Sequence, residues 1–248
     1  RVPCPKTASA MDTEVAASAL REIGCIATLI LGGDGTSRVF VKGWREAVLL
    51  PVSTGTNNVF PRFAEATIAG AALGFIASGK VPLDEVVDRV KIVDIQVEDE
   101  ESDIALIDAV ITDEQFVGAR ALLEGDALRC AFLTRAEPAA VGITSIGGLL
   151  HPVSEKDDVG LLLKLGKGRR KINAPIAPGL YQKIKVSSVT PVAFDEAIEF
   201  QGPCVIALDG EREKVIKAGQ KFNMRLSRTG PCIVDIEKTM KLVAALNG

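Results

Sequence analysis

The sequence predicts an α/β lobe followed by a β-rich lobe, and three observations carry that reading. The apolar run at residues 26–31 ends abruptly in Gly32-Gly33-Asp34-Gly35-Thr36. A short apolar run with turn residues behind it reads as a buried parallel strand. A second apolar run, residues 47–50, ends in Pro51-Val52-Ser53-Thr54-Gly55-Thr56-Asn57-Asn58. From residue 139 onward short strand-like runs recur with turns between them, the spacing of an antiparallel sandwich.

The first loop carries the chemistry. Ligands of open α/β sheets bind beyond the carboxyl ends of the strands. Glycines at 32, 33 and 35 let the backbone turn tightly and leave room for a bulky anion. Asp34 is expected at the strand tip, where a carboxylate suits magnesium or the proton of an attacking hydroxyl. Taken alone, Gly-Gly-Asp-Gly reads as readily as a plain turn. The second loop weighs against that reading, because two successive strand tips would bring glycine, hydroxyl and amide groups to one rim.

Composition narrows the classes. Hydrophobic residues make up 47% and charged residues 25% of 248, which are globular values. The length accommodates one large or two moderate domains. Aromatics are only 4% and the net charge is −3, which argues against nucleic acid as a partner. Five cysteines, Cys4, Cys25, Cys130, Cys204 and Cys232, are widely spaced with no Cys-x-x-Cys pair. That pattern gives no zinc or redox signature and fits reduced thiols in a cytoplasmic protein. No apolar run reaches ~18 residues, so no membrane insertion is expected, and no signal-peptide pattern is present.

Taken in order, residues 11–23 form an apolar stripe at helical spacing, with Asp12 or Thr13 as cap and Gly24 as stop. The strand at 26–31 follows. Residues 36–42 begin a helix whose N-terminus would add amide donors near a phosphate. After the strand at 47–50 and its loop, the alanine-rich stretch 63–78 is a helix, with Gly79 and Pro82 beyond it. Residues 87–97 and 103–111 read as strands joined by an acidic turn at 98–103. Residues 116–133 are ambiguous, and 119–128 lean helical. Strands are expected at 140–146, 159–165, 171–174, 182–189, 202–208, 213–216 and 221–226, and a final helix at 234–246. The domain boundaries follow: 1–84 for the α/β lobe, 85–233 for the β-sandwich lobe, and 234–248 for a helix returning to the first. A ligand crevice is expected between the lobes.

In the second lobe, Thr144-Ser145-Ile146-Gly147-Gly148 could present backbone amides to an anion, or mark a bulge or hairpin corner. Asp209-Gly210 between strand-like runs is a strong hairpin signal. Glu211, just past it, could reach a substrate hydroxyl as a general base. The basic run 164–171, with Gly166 and Gly168 interspersed, reads as a solvated hairpin tip. His151, the single histidine, reads as structural or surface, and Trp44 and Tyr181 as packing residues.

Together these motifs resemble the superfamily of NAD kinases and diacylglycerol- or sphingosine-type lipid kinases. Gly32-Gly33-Asp34-Gly35-Thr36 matches its signature letter for letter, and Thr54-Gly55-Thr56-Asn57-Asn58 is similar to the lipid-kinase second motif. Thr144 to Gly148 with His151-Pro152 looks like a Ser-x-Gly-Gly-Pro…His-Pro stretch, with Leu149 in place of the proline. Residues 174–178 resemble the x-Pro-Ile-x-Pro segment that follows it. Asp209-Gly210-Glu211 is similar to the lipid-kinase Asp-Gly-Glu. The blend looks most like the NAD kinase-like proteins of acetoin catabolism.

The resemblance implies a Rossmann-like α/β lobe with an all-β sandwich lobe, ATP and Mg2+ as cofactors, and a homo-oligomer. It implies that Gly32, Gly33, Gly35 and Thr36, with Thr54, Gly55, Thr56, Asn57 and Asn58, hold the nucleotide. It assigns catalysis to Asp34 and Glu211, metal binding to Asp34 and Asp209, and the acceptor to Asp108, Thr144 and Ser145. A first strand with an Asn-Pro-type loop would lie upstream of Arg1. Ile107 stands where NAD kinases carry the asparagine of their dinucleotide-gripping pair, and only Asp108 matches in part.

Three functions follow as expectations. The first is phosphoryl transfer from ATP to a small hydroxyl acceptor, NAD or another. The second is a lipid kinase, although no amphipathic basic helix for membrane docking is evident. The third is a nucleotide sensor without catalysis, suggested by Ile107.

Overall fold

The computed structural model describes Val2, residues 5–113 and residues 128–246. In chain order the elements are α1 (Ala10–Glu22), β1 (Thr28–Gly32), α2 (Asp34–Gly43), β2 (Val48–Ser53), α3 (Ala66–Ala77), a 3-10 turn (Leu83–Glu85), β3 (Val87–Arg89), β4 (Ile92–Val97), β5 (Asp103–Ala105), β6 (Asp108–Thr112), β7 (Leu128–Leu133), α4 (Ile143–Gly148), β8 (Val159–Ala177), β9 (Leu180–Ala193), β10 (Ala197–Gln201), β11 (Cys204–Leu208), β12 (Glu211–Ile216), β13 (Lys221–Ser227), β14 (Cys232–Val234) and α5 (Ile236–Leu246). The chain divides into two compact units, Arg1–Val90 with Thr229–Gly248, and Lys91–Arg228.

The first unit is built on a sheet of order β1-β2-β14-β3, parallel between β1, β2 and β14 and antiparallel at β3. β14 was not foreseen, because three residues give no readable period. It and β3 belong to this sheet, whereas boundaries at 84 and 233 would have left both with the second lobe. Helices α3 and α5 cover β2, with Ile76 and Val243 buried among Leu50, Val52 and Val234. Helix α1 starts at Ala10, one residue before the expected stretch. Ser9 is its cap, while Asp12 accepts hydrogen bonds from Thr7 and Ala8 instead. Strand β1 departs from the expectation of burial on both faces. Ile30 is buried, but Leu29 and Leu31, on the alternate face, are 38% and 63% exposed. The cause is position: β1 is the edge strand of the described sheet.

The second unit is a β-sandwich. Sheets of order β10-β13-β4-β5 and β12-β11-β6-β7-β8-β9 share a core. Ile95, Met224 and Leu226 from one meet Ile111, Phe132 and Ile206 from the other. The expected hairpin at the acidic turn forms between β4 and β5. The single strand expected at 103–111 is two: β5 ends, and β6 continues in the other sheet. The intervening Leu106 and Ile107 are fully buried.

Three further expectations are corrected. Residues 140–146 are not a strand; α4 lies there, with every residue of it buried. Its glycines are packing residues. A Cβ at Gly147 would lie 2.6 Å from Leu133 Cδ1, and one at Gly148 would collide with the Glu137–Pro138 backbone. The runs at 159–165 and 171–174 are one strand, β8. The basic run is therefore no hairpin tip: Leu165 and Arg170 both register with Val186 of β9, so residues 166–169 bulge out of the strand. Tyr181 is 62% exposed rather than packed. β10 was also not foreseen, and its exposed alternate residues explain the weak signal. Of the helical lean at 119–128, all but Leu128 falls outside the described residues, and Leu128 opens β7. Cys25, Cys130, Cys204 and Cys232 are all free thiols.

Lys91 and Arg228, the first and last residues of the sandwich, grip the same loop. Lys91 Nζ donates to Ser154 O at 2.9 Å and Val159 O at 2.7 Å. Arg228 donates to the carbonyls of Glu155, Lys156 and Asp157, and to Asp158 Oδ1 at 2.8 Å. Burial first, and then the positive charge of Arg228, push the Lys91 amine down to about 8. Between that value and the unfolded value of about 10.4 the unfolded chain holds one more proton, so stability rises with pH there. Urea unfolding at pH 7.5 and near pH 10 is expected to show this rise in the parent chain, and Lys91→Met is expected to abolish the Lys91 share of it.

Candidate functional site

In the first unit the two glycine loops meet, and the register explains how. β1 and β2 are parallel with Gly32 opposite Ser53, so both chains leave the sheet at the same end. The Thr54 amide donates to Gly32 O at 3.3 Å. Gly33 then caps α2 and Asp34 is its first residue. The helix starts two residues before the expected position. The first N–H groups of a helix have no intrahelical acceptor, and here they belong to Asp34, Gly35 and Thr36. Such an end favours phosphate.

Asp34 also does something that its place in the motif does not reveal. Its Oδ1 accepts from Phe60 N at 2.8 Å and Val59 N at 3.1 Å, and its Oδ2 accepts from Val59 N at 3.1 Å. The carboxylate thereby fastens the end of the second loop to the start of α2. Within that loop Asn58 Nδ2 donates to Ser53 Oγ at 2.8 Å, and Ser53 Oγ donates to Gly55 O at 3.1 Å. A Cβ at Gly33 would lie 2.7 Å from Asn58 Oδ1, so a side chain there would push the amide aside. Thr54, Gly55, Thr56 and Asn57 are exposed, and Asn57 has φ +66°.

Arg38 was missed in the sequence. It lies one turn after Asp34 on α2 and is 2% exposed. A buried arginine four residues past the motif aspartate, on the same helical face, was the available signal.

In the second unit the residues near the Asp-Gly turn converge. Asp209 (φ +49°) and Gly210 (φ +84°) form the expected hairpin turn between β11 and β12. Asp209 is buried, and its carboxylate accepts from Leu106 N at 2.8 Å, Ile107 N at 2.7 Å and Asp108 N at 3.1 Å. Its own amide donates to Asp108 O at 2.9 Å. This holds Asp108 beside the turn, with exposed Glu211 opening β12 opposite Leu208. Ile107 is 1% exposed, so its side chain is a core residue.

Thr144 and Ser145 sit on a third element, α4. Ser145 Oγ donates to Gly142 O at 2.7 Å and serves its own loop. Thr144 Oγ1 is buried with no hydrogen-bond partner among the described residues. His151 is exposed.

The α2 N-terminus presents open amides of the kind that suits a phosphate. Magnesium needs only one or two protein carboxylates when phosphates supply the rest, and Asp34 is the carboxylate at that helix end. Among the described residues no three His, Cys, Asp or Glu side chains gather as a metal cage. Asp209, which accepts the amides of Leu106, Ile107 and Asp108, serves as a backbone anchor. Among the described residues no helix is long and apolar enough to cross a membrane.

A parallel-stranded α/β unit interrupted in sequence by a β-sandwich, with a glycine loop at its leading strand, defines an NAD kinase-like fold. The crystal structure of yeast NADH kinase complexed with NADH matches with a TM-score of 0.58 at 13% identity, over 95% of this chain and 68% of that one. The family model of the acetoin catabolism protein X C-terminal domain matches residues 91–229. The acetoin catabolism protein X of Cupriavidus necator is 40% identical over 251 residues, covering 96% of this chain and 68% of that protein. The chain belongs to the acetoin catabolism protein X family.

Removing a carboxylate that accepts buried amides leaves donors unmatched, at a cost of about 1–3 kcal/mol. Asp209→Asn is expected to lower the urea midpoint more than Asp34→Asn, because Asp209 is the more buried and accepts from three residues. Equal midpoints for both variants and the parent chain would sink the anchoring role.

Proposed function

We propose that this chain is an ATP-dependent phosphotransferase acting on a hydroxyl-bearing small molecule. The observation that carries the reading is the Asp34 junction, where a carboxylate at a helix N-terminus fastens the second glycine loop beside the helix's open amides. The amides of Asp34, Gly35 and Thr36 hold phosphate oxygens. Gly55, exposed and without a side chain, leaves room for a phosphate to approach the backbone. Thr54, Thr56, Asn57 and Asn58 contact the rest of the nucleotide. Asp34 would hold magnesium at the helix end, and the metal would supply positive charge against the charge that develops on the phosphate. The hydroxyl proton passes to a carboxylate, Asp34 or Glu211. Asp209 positions Asp108 and Glu211, and Asp108 and Thr144 are the acceptor-side contacts. Much of the acceleration comes from positioning and charge neutralisation rather than covalent chemistry.

NAD is the acceptor suggested by the fold, and the family name suggests a setting in acetoin catabolism. A specific observation favours a second reading, a nucleotide sensor. The position where NAD kinases carry an asparagine is here Ile107, whose side chain is buried in the core.

ADP release with ATP and magnesium, across NAD, NADH, diacylglycerol and small diols, separates the readings. The expected outcome is acceptor-dependent ADP. Asp34→Asn is expected to reduce it about a hundredfold or more per folded molecule, and Glu211→Gln by a similar factor if it is the base. Tight ATP binding with no ADP on any acceptor would support the sensor. Full turnover by Asp34→Asn would remove the phosphotransferase mechanism.

A further inference from the structure

The sandwich contains a cavity that the proposed chemistry does not use. It has a volume of about 720 Å3 and is lined by residues of both sheets. That is within the usual range for small-molecule sites, roughly 300–1,000 Å3. Leu128, Leu162 and Leu165 line it from the six-stranded sheet, and Ile198, Phe200 and Phe222 from the other. The rings of Phe200 and Phe222 stack with centroids 5.3 Å apart, which gives one wall a flat aromatic face. Cys130 also lines it, and burial pushes that thiol up to about 12, so it adds no negative charge to the wall.

The rim is basic, and the reason lies in the bulge of β8. Lys164, Lys167 and Lys185 all border the cavity. Residues 166–169 leave the strand between two residues that register with Val186. Gly166 takes φ +86°, and a Cβ at Gly168 would collide with the Val186 carbonyl. Both glycines are thus required for the chain to bulge here, and the bulge brings Lys167 to the mouth beside exposed Lys164. Arg129 is also on the rim, but it pairs with Asp113 at 3.3 Å. With that pair set aside, Lys164 and Lys167 stand on the rim with one acid, Glu199. An adjoining cavity of about 620 Å3 shares Phe200 and Phe222 but is bordered by Glu98, Asp99 and Glu100. Charge therefore steers an anionic head to the β8 side only.

We propose that this cavity binds an amphiphilic acid, with its apolar body against the lining residues of both sheets and its carboxylate against Lys164 and Lys167. The site is separate from the Asp34 junction and stands whether or not the chain transfers phosphate. Binding, rather than turnover, is the readout. The fluorescent fatty acid cis-parinarate serves as probe on the full chain, with decanoate and decanol as competitors. Decanoate is expected to displace it well ahead of decanol. The exposed double variant Lys164→Glu/Lys167→Glu is expected to weaken decanoate about tenfold while decanol and the urea midpoint stay unchanged. Ile198→Trp, on a half-buried edge-strand position, is expected to weaken both competitors by filling the cavity. Equal potency of decanoate and decanol, unchanged decanoate affinity in the double lysine variant, or no probe binding at all would each overturn the proposal.

Discussion

The carboxylate of Asp34 joins segments 25 and 26 residues apart in sequence, and the candidate site depends on that junction. Chain leaving two adjacent parallel strands carries amides that no sheet partner satisfies. One carboxylate accepting from Val59 and Phe60 meets that need and fixes the second loop against the start of α2. Because Gly33 lies under Asn58, the loops come within contact distance without a side chain between them. The same solution recurs in the second unit. Asp209 accepts from three successive amides, and so holds the point where the chain crosses from one sheet of the sandwich to the other. Each motif aspartate organises backbone first, and any chemistry at either place is built on that order.

The sandwich is an insertion between β3 and β14, which pair with each other in the first sheet. Its two ends meet at one loop, gripped by Lys91 and Arg228. The matched domain of the family spans residues 91–229, nearly the same segment. Charged side chains on backbone carbonyls thus mark both ends of the module. Lys91 keeps its place at some cost, since burial works against its charge.

Glycine serves different ends along this chain. Gly33 gives the loops close approach, and Gly210 completes a tight hairpin turn. Gly147 and Gly148 let α4 lie against β7 and the segment behind it, a packing role in place of either the anion contact or the bulge that the sequence left open. Gly166 and Gly168 make the β8 bulge, which turns a run of basic residues from a solvated strand into the rim of a cavity. One residue type thus yields a site, a helix contact and a pocket, according to what lies opposite it.

The local chemistry of the sequence determined a good deal. Alternation and apolar runs located most strands, helical spacing located α1 and α5, alanine-rich composition located α3, and Asp209-Gly210 specified its turn, because these depend on neighbours within a few residues. The two glycine loops were legible as partners because parallel strands must end on the same edge. What tertiary structure decided was everything that depends on distant residues. It decided that Leu29 and Leu31 stay exposed at a sheet edge, that residues 103–111 divide between two sheets, and that residues 143–148 coil rather than extend. It decided also that Asp34 and Asp209 turn their carboxylates to amides far along the chain. A strand's period says which residues share a face, but only the packed fold says what lies against that face. A carboxylate's partners are likewise chosen by which amides the fold leaves unsatisfied beside it.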